Sequence, residues 1–595
     1  MKMFSKGLLT LSVLSLACSS VVFAAGKGSS ARDVSKDVYA RYASMSGSGG
    51  QETWGIVNCH DPKIFQDDDG TYYVYSTDAA VGGAGQKGLQ IRTSKDLVTW
   101  TSLATSALQR KWDRQWLKWV NFNNANASSW APTVIKQNGL YYMLHGIITD
   151  VNNSGYPVAA ITLAISASPT GPFIPAGNAS KDKTLGPILS KLGVSYKQSN
   201  IVRYTYNDRT WDSEEPSIAD YYCYNTAMWD TMNGFEGDVA SMSLGFGCID
   251  PEFVTDVGTG KLMEYDVKGR TCYGLTYGSW KGGIALMYLD KTSLKPVDPA
   301  NGKEMDDPSD TVEGAFGVCI GGGFGAAYEG AQVIYNSENG YYYLFVSMGS
   351  LDWDYRVGVG RSKSVTGPYL DASGKSMLLT PLVSQDYHEI GSKIIGGHVL
   401  KDSYSFRCQG GESILRTKDG KVVFVNHART NYMPGYIFFL QVHQMFFTSD
   451  GWPVLNQNDY YEDENFKEGF AGLKVEDVSG TYDTILTVRN AKIGNYKPFG
   501  QTTPVEVCLA DAAPTESNEM TLGSDGKVSG AYSGTWTLSG SELTVALDGV
   551  GTFKGYALAA VDWTKKKGNT RKTVTITLID GNKTGEYFWG NKRVN

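Results

Sequence analysis

The chain has 595 residues, of which 42% are hydrophobic and 19% charged, and its formal net charge is −7. This composition is typical of globular proteins, and the length favours one large domain with a smaller one. The negative balance, with no long basic stretch, argues against a nucleic-acid partner. Aromatic residues (12%) and 69 glycines indicate a β-rich protein with many turns.

Residues 1–24 have the pattern of a secretory signal peptide. Lys2 and Lys6 precede an apolar stretch, and Ala24 ends a small-residue cleavage site. We therefore expect a secreted or periplasmic protein. A lipid-anchored surface form through Cys18 is the less favoured alternative, because Ser15 stands where such motifs carry a large aliphatic residue. No apolar run reaches the ~18 residues of a membrane span. Residues 25–50, rich in Ser, Gly and Ala, are predicted to be a linker.

One motif recurs along residues 51–470: a short apolar strand, a polar turn ending in glycine, and a second hydrophobic strand. A third strand candidate follows each hairpin. Since no unit of about four strands can bury both faces alone, five such units predict a five-bladed β-propeller. The alternative is a β-sandwich, but sandwiches lack such long repeats. The turn glycines are Gly70, Gly139, Gly260, Gly340 and Gly420.

The repeat is interrupted once and then ends. Between the second and third hairpins lies an insertion of roughly residues 176–243, rich in Tyr and Trp. From residue 475 to 595 the chain changes to short alternating strands punctuated by glycine. This pattern predicts a small antiparallel β-barrel, so the expected fold class is all-β throughout.

Acidic residues stand at the heads of the predicted innermost strands, which face one another across a propeller axis. Glycosidic bond cleavage uses one protonated carboxylic acid and one ionised carboxylate. A third anion nearby would raise the pKa of the acid and keep it protonated. Trp130 and Tyr328 each precede a head, and Trp280 follows the third hairpin. All three suit stacking on sugars, although core packing is the alternative for each. The head residues are Asp61, Ala131, Asp250, Glu329 and Gly411-Glu412.

These heads resemble the signature of glycoside hydrolase family 43. The resemblance rests on four head segments, together with YGSWKGGI (277–284) and VGRSKSVTGPYLD (359–371); the heads are His60–Pro62, Trp130–Pro132, Ile249–Pro251 and Glu329–Ala331. It implies a five-bladed propeller that cleaves plant arabinans or arabinoxylans by an inverting mechanism. The chain is most similar to the extracellular endo-α-1,5-L-arabinanases that carry a C-terminal β-barrel.

The resemblance also implies residue roles. Asp61 would be the general base, Glu329 the general acid and Asp250 the residue that tunes the pKa of the acid. Trp130, Ser279 and Trp280 match positions near the sugar subsites of the family. Tyr328 is expected to bind substrate as well, because it stands next to Glu329. We expect a monomer that acts on cell-wall polysaccharide without an organic cofactor. Two alternatives stay open: an α-L-arabinofuranosidase or β-xylosidase of the same family, and a non-catalytic carbohydrate-binding propeller.

One departure from the family pattern concerns a metal. Many members have Pro-Gly-His-Asn-Ser at the head of blade five, with the His near a central calcium ion. This chain has Gly411 in the place of that His and Glu412 next to it. His398 or His427 would take its place, with an ordinary packed or surface role as the alternative for each, and Glu412 could instead draw a cation nearer. The resemblance implies calcium near the axis, and its ligands stay open. The insertion, if it reaches the groove, would favour release from chain ends over internal cuts.

Overall fold

The computed structural model describes most of the chain from residue 49 onward. The predicted signal peptide and nearly all of the predicted linker lie outside it. No helix among the described residues is both long and apolar enough to cross a bilayer. The described residues are 49–78, 88–108, 128–150, 157–197, 200–204, 247–280, 282–305, 317–323, 326–351, 354–380, 384–400, 405–430, 437–487, 492–496, 505–508, 515–562, 571–581 and 583–594.

Five antiparallel sheets, numbered blades 1 to 5 in chain order, form the predicted propeller. From the axis outward, blade 1 contains Lys63–Gln66, Tyr72–Ser76, Gln90–Ser94 and Thr101–Ser102. Blade 2 contains Ser128–Gln137, Leu140–Asp150, Pro157–Ser166 and Ile174–Pro175. Blade 3 contains Glu252–Phe253, Arg270–Tyr277, Ile284–Asp290 and Val318–Gly321. Blade 4 contains Tyr328–Asn336, Tyr341–Met348, Arg356–Ser362 and Ser392–Ile395. Blade 5 contains Ser405–Arg416, Val422–Thr430, Phe439–Phe447 and Pro453–Leu455.

The innermost strands contact one another in the order 1-2-3-4-5-1, so the blades close a ring. Apolar β-branched and aromatic side chains fill the space between blades, as the strand composition predicts. Blade 5 contacts blade 1 through side-chain hydrogen bonds. An isolated β-bridge also joins Phe439 of blade 5 to Val57, which precedes blade 1. The all-β prediction and the five-bladed propeller are confirmed.

The predicted hairpin around Gly260 is the one hairpin placed wrongly. Its strands, Thr255–Asp256 and Lys261–Leu262, pair with each other and then extend blade 4 in parallel with its innermost strand. The innermost strand of blade 3 pairs instead with Arg270–Tyr277, to which Glu264–Val267 also pairs. A turn signal shows where the chain reverses but not which sheet accepts the two strands, so the sequence pattern could not separate these outcomes.

Short helices and a strand begin the insertion. Its strand Asn200–Tyr204 pairs with the third strand of blade 2. The Tyr- and Trp-rich part of the insertion, residues 205–246, lies outside the described residues. The described helices are Ala176–Ala179 and Leu185–Lys191 in the insertion, Val475–Val478 before the barrel, and the 3₁₀ turns Gln51–Thr53 and Ser384–Glu389.

A closed eight-stranded β-barrel follows the propeller, as predicted. Its interior is filled by side chains such as Trp536, Phe553 and Phe588. The strands are Gly480–Thr487, Asn518–Leu522, Lys527–Gly530, Gly534–Ser539, Glu542–Leu547, Gly551–Asp562, Arg571–Ile579 and Tyr587–Lys592. A separate hairpin pairs Lys492–Tyr496 with Val505–Cys508, and a small one pairs Glu462–Asp463 with Phe466–Lys467.

The barrel packs directly on blades 4 and 5. Leu558 and Ile579 of the barrel belong to the same buried cluster as the core of these blades. The Tyr587 hydroxyl donates to the Pro453 carbonyl at 2.9 Å. Strand Thr515–Glu516, which precedes the second barrel strand, pairs with a short strand at the edge of blade 5. The two domains therefore share a hydrophobic core as well as polar contacts.

Each innermost strand has a β-bulge at its head, and this bulge positions the site. Two residues there oppose one on the neighbouring strand, and the first of them has a left-handed backbone. The left-handed residues are Asp61 (φ 48°), Ala131 (40°), Asp250 (57°), Gly330 (63°) and Gly411 (63°).

The bulge register corrects one expectation. Asp61 and Asp250 occupy equivalent left-handed positions, but Glu329 comes one residue earlier, in register with His60 and Trp130. The equivalent left-handed position in blade 4 is Gly330. Because two bulge residues share one partner, a motif alignment cannot distinguish the two positions. The three acids thus come from two registers rather than one.

Candidate active site

Asp61 is the half-buried carboxyl group at the head of blade 1. Thr77 Oγ1 donates to its Oδ2 at 2.6 Å, and His60 Nδ1 lies 2.7 Å from the same oxygen. Its backbone N–H donates to His427 Nδ1 at 3.1 Å. Burial raises the pKa of Asp61, but the charge and hydrogen bond of His60, with smaller contributions from His427 and Thr77, outweigh burial and hold that pKa well below its ordinary value. The carboxylate is therefore ionised and able to accept a proton.

Glu329 lies at the head of blade 4 and accepts three side-chain hydrogen bonds. Tyr355 OH donates to Oε1 at 2.8 Å, while Ser279 Oγ and Trp280 Nε1 donate to Oε2 at 3.1 and 3.0 Å. Burial raises the pKa of Glu329 and the Asp61 charge adds to this, against the lowering effect of the three donors. The net direction is upward, which favours a protonated group that can act as an acid.

Asp250, at the head of blade 3, interacts electrostatically with both other acids. Its Oδ2 accepts the backbone N–H of Gly330 at 3.0 Å, which fixes the chain next to Glu329. Burial raises the pKa of Asp250 well above its ordinary value, and repulsion from Glu329 and Asp61 raises it further. The site thus combines one carboxyl group tuned to be ionised with two tuned to hold protons.

The four predicted substrate-binding residues separate into two pairs. Ser279 and Trp280 lie at the site, where both hold Glu329. Trp130 donates its indole N–H to Ser128 Oγ at 2.9 Å and packs against the core between blades 2 and 3. The Tyr328 ring is fully buried in the core of blades 3 and 4, which favours a packing role for it. The substrate-binding roles stay predictions.

Sequence reasoning missed Tyr355 and Thr77. Thr77 Oγ1 links two heads, since it donates to Asp61 and accepts the backbone N–H of Ala131 at 3.0 Å. Tyr355 precedes the third strand of blade 4, away from every head motif. His427, one of the two alternatives considered for the missing family histidine, does lie at the site. His398 lies instead at the edge of blade 5, 4.8 Å from the Trp589 ring of the barrel.

The implied calcium ion can be tested against the side chains near Asp61. His60, Asp61 and His427 each offer a ligand atom, all within 4.8 Å of one another. Calcium prefers six to eight oxygen ligands, and this group supplies two imidazole nitrogens and one carboxylate. His427 Nδ1 already accepts the Asp61 amide, so the neutral ring carries its proton on Nε2 and neither nitrogen is free to bind a cation. These residues do not fit calcium, and we assign it no chemical role.

A propeller whose axial heads pair an ionised carboxylate with carboxylic acids held protonated defines a hydrolase of glycosidic bonds. The chain belongs to glycosyl hydrolases family 43, whose model matches residues 56–211 and 276–453. A second model, described as a C-terminal lipocalin-like domain, matches residues 459–590. The family predicted from the head motifs is therefore confirmed.

Alignments with relatives of named activity extend over nearly the whole chain. The chain is 26% identical to an extracellular endo-α-(1→5)-L-arabinanase of Thermotoga petrophila, over 90% of this chain and 93% of that protein. It is 24% identical to extracellular endo-α-(1→5)-L-arabinanase 2 of Bacillus subtilis, with the same coverage. The crystal structure of the endo-1,5-α-L-arabinanase from Thermotoga petrophila has a similar fold, with a TM-score of 0.62 at 23% identity, over 92% of this chain and 100% of that one.

Proposed function

We propose that this protein is an exported, inverting glycoside hydrolase that cleaves α-1,5-L-arabinofuranosidic bonds in plant arabinan. The observation that carries the proposal is the opposite tuning of carboxyl groups at one site, Asp61 towards the ionised form and Glu329 towards the protonated form. The substrate class is supported by the named activities of the relatives that span both domains. Their description as extracellular supports export.

In the proposed reaction, water attacks the anomeric carbon while Asp61 takes one proton from that water. The bond between this carbon and the glycosidic oxygen breaks, and Glu329 gives its proton to the leaving oxygen. Asp250 holds the backbone beside Glu329, and burial together with the charge of Asp61 favours the protonated form of that acid. Asp61 then releases its proton to solvent and Glu329 regains one, which restores the starting state.

The test is incubation of the full chain with linear arabinan, arabinoxylan and galactan, followed by sizing of the products. We expect short arabino-oligosaccharides from arabinan alone, with inverted anomeric configuration by NMR at early times. Release from nitrophenyl glycosides without polymer cleavage would instead identify an arabinofuranosidase or β-xylosidase. Binding of oligosaccharide with no new reducing ends would identify a non-catalytic carbohydrate-binding propeller.

A further inference from the structure

A layer of polar side chains crosses the propeller axis below the heads. Each innermost strand contributes the residue two positions after its left-handed residue, and all five are buried. Contacts between blades connect the layer: Ser413 Oγ accepts the backbone N–H of Ile64 at 3.2 Å, and Gln332 Oε1 accepts that of Ile414 at 2.7 Å. The layer consists of Lys63, Thr133, Glu252, Gln332 and Ser413.

Lys63 places its ammonium group on the axis itself. Its Nζ lies 3.3 Å from Glu252 Oε2 of blade 3 and donates to the Glu412 carbonyl of blade 5 at 2.7 Å. Blades 1 and 3 are not neighbours in the ring, so a contact between them has to span the axis. Only 3% of the Lys63 side chain is exposed. A buried charge of this kind persists only when it is paired, and here the partner is a buried carboxylate.

The carboxylates of Glu252 and Glu412 near the axis already have protein partners. Glu252 Oε1 accepts a hydrogen bond from Thr133 at 2.7 Å, and Oε2 carries the ion pair. Glu412 Oε2 accepts a hydrogen bond from Ser347. Among the described residues, neither Glu252 Oε2 nor Glu412 Oε1 accepts a hydrogen bond. Glu252 Oε2 has the ion pair with Lys63, so only Glu412 Oε1 has neither kind of partner there. One free oxygen beside a fixed ammonium group is far from the ligand set that calcium needs.

We propose that Lys63 is the resident cation of the propeller axis and that the axial site therefore takes no calcium. The ammonium group supplies the positive charge between blades 1, 3 and 5 that a metal ion would otherwise provide. This conclusion is the opposite of what the family resemblance implies for the axis. It concerns this chain's own residues and does not depend on which polysaccharide is cleaved.

The first test measures metal in the purified full chain. After dialysis without chelator, we expect calcium well below one equivalent by plasma mass spectrometry. We also expect the same thermal midpoint with calcium chloride as with chelator. A site filled at a hundred times its dissociation constant would raise the midpoint by about 2 °C for a chain of this size. One calcium per chain, or such a calcium-dependent rise, would overturn the proposal.

The second test removes the ammonium group. Lys63→Met leaves Glu252 buried without a counter-charge, so we expect the thermal midpoint to fall. The control is Lys136→Met, which removes a lysine paired with Asp67 in the turn after the first strand of blade 1. We expect a lower midpoint for Lys63→Met than for this control. Adding Glu252→Met to Lys63→Met should restore part of the loss, because both charges are then absent. Equal midpoints for the two single variants, or no recovery in the double variant, would refute the pairing. Should Lys63→Met fail to fold, the metal measurement on the native chain still decides.

Discussion

The His427 imidazole stacks on the Tyr355 phenol ring, with centroids 5.6 Å apart and planes 9° from parallel. His427 Nδ1 accepts the backbone N–H of Asp61, and Tyr355 OH donates to Glu329. Both rings are buried. The stacked pair therefore fixes the position of the proposed base relative to that of the proposed acid, which come from the first and fourth blades.

Tyr355→Phe keeps the stacked ring but removes the donor to Glu329. A hydrogen bond to a charged group contributes about 1.5–3 kcal/mol, so we expect kcat/KM to fall about 10-fold or more. Because this bond lowers the pKa of Glu329, its loss should move the alkaline limb of the kcat/KM profile to higher pH. The control is Tyr532→Phe, because Tyr532 lies in the barrel, away from Glu329. An alkaline limb that does not move would contradict the positioning role.

Asp61→Asn and Glu329→Gln should differ in how they depend on the leaving group. Without the base, attack by water is slow on every substrate, so Asp61→Asn should lose about 10³-fold on both arabinan and nitrophenyl arabinofuranoside. Nitrophenolate leaves without a proton, so Glu329→Gln should lose much less on the nitrophenyl substrate than on arabinan. Equal losses for the two variants on the two substrates would contradict the assigned roles.

The head motifs located the three acids because Asp-Pro recurs at two strand starts and Glu329-Gly330 stands at the equivalent place in a third. The alternation of strands located the blades. Sequence could not show that Glu329 lies one residue before the left-handed position, since a bulge leaves no gap in a motif. Tyr355 lies outside every repeat motif and meets Glu329 only once the strands of blade 4 have paired. Lys63 has the sequence context of an ordinary strand residue, and only its partner in blade 3 shows that it is axial.

Gly411→Ala should damage the site itself. A Cβ there would lie 2.7 Å from His427 Nδ1 and 2.9 Å from Asp61 Oδ1. Gly139→Ala is the matched control, because Gly139 has a similar positive φ of +76° and open space around the added atom. Both should lose about 1–2 kcal/mol of stability from the left-handed backbone. Only Gly411→Ala should lose activity as well, by about 100-fold, since the base is displaced. Similar activity in the two variants would count against this role of the glycine.

Glu412→Gln should change how stability depends on pH. Burial raises the pKa of Glu412 to about 7, from an ordinary value of 4.5. The folded-state pKa lies above the unfolded one, so this group's contribution is complete below pH 4.5 and is lost as pH rises to about 7. The loss amounts to ~3 kcal/mol. Between about pH 5 and about pH 8, the free energy of unfolding in urea should decrease less for Glu412→Gln than for the native chain. The control is Glu519→Gln at the barrel surface. If the unfolding free energies of Glu412→Gln and the native chain change with pH in parallel, the raised pKa of Glu412 is excluded as the cause.

Truncation after Phe470 tests whether the barrel is needed for the propeller to stay soluble. Removing the barrel would expose the apolar surface of blades 4 and 5 that Leu558 and Ile579 now cover. We expect the shortened chain to aggregate, because exposed apolar patches of this kind drive association. A soluble truncated chain with unchanged activity on arabinan would show that the barrel is dispensable.

The ring has one seam, between the first and the last blade, and the proposed base lies on it. Asp61 is held across this seam by His427, and two residues further along Lys63 reaches the Glu412 carbonyl. A small separation of these two blades would displace Asp61 from its partners while every sheet stays intact. Thermal inactivation should therefore precede the loss of circular dichroism, and brief heating should be reversible.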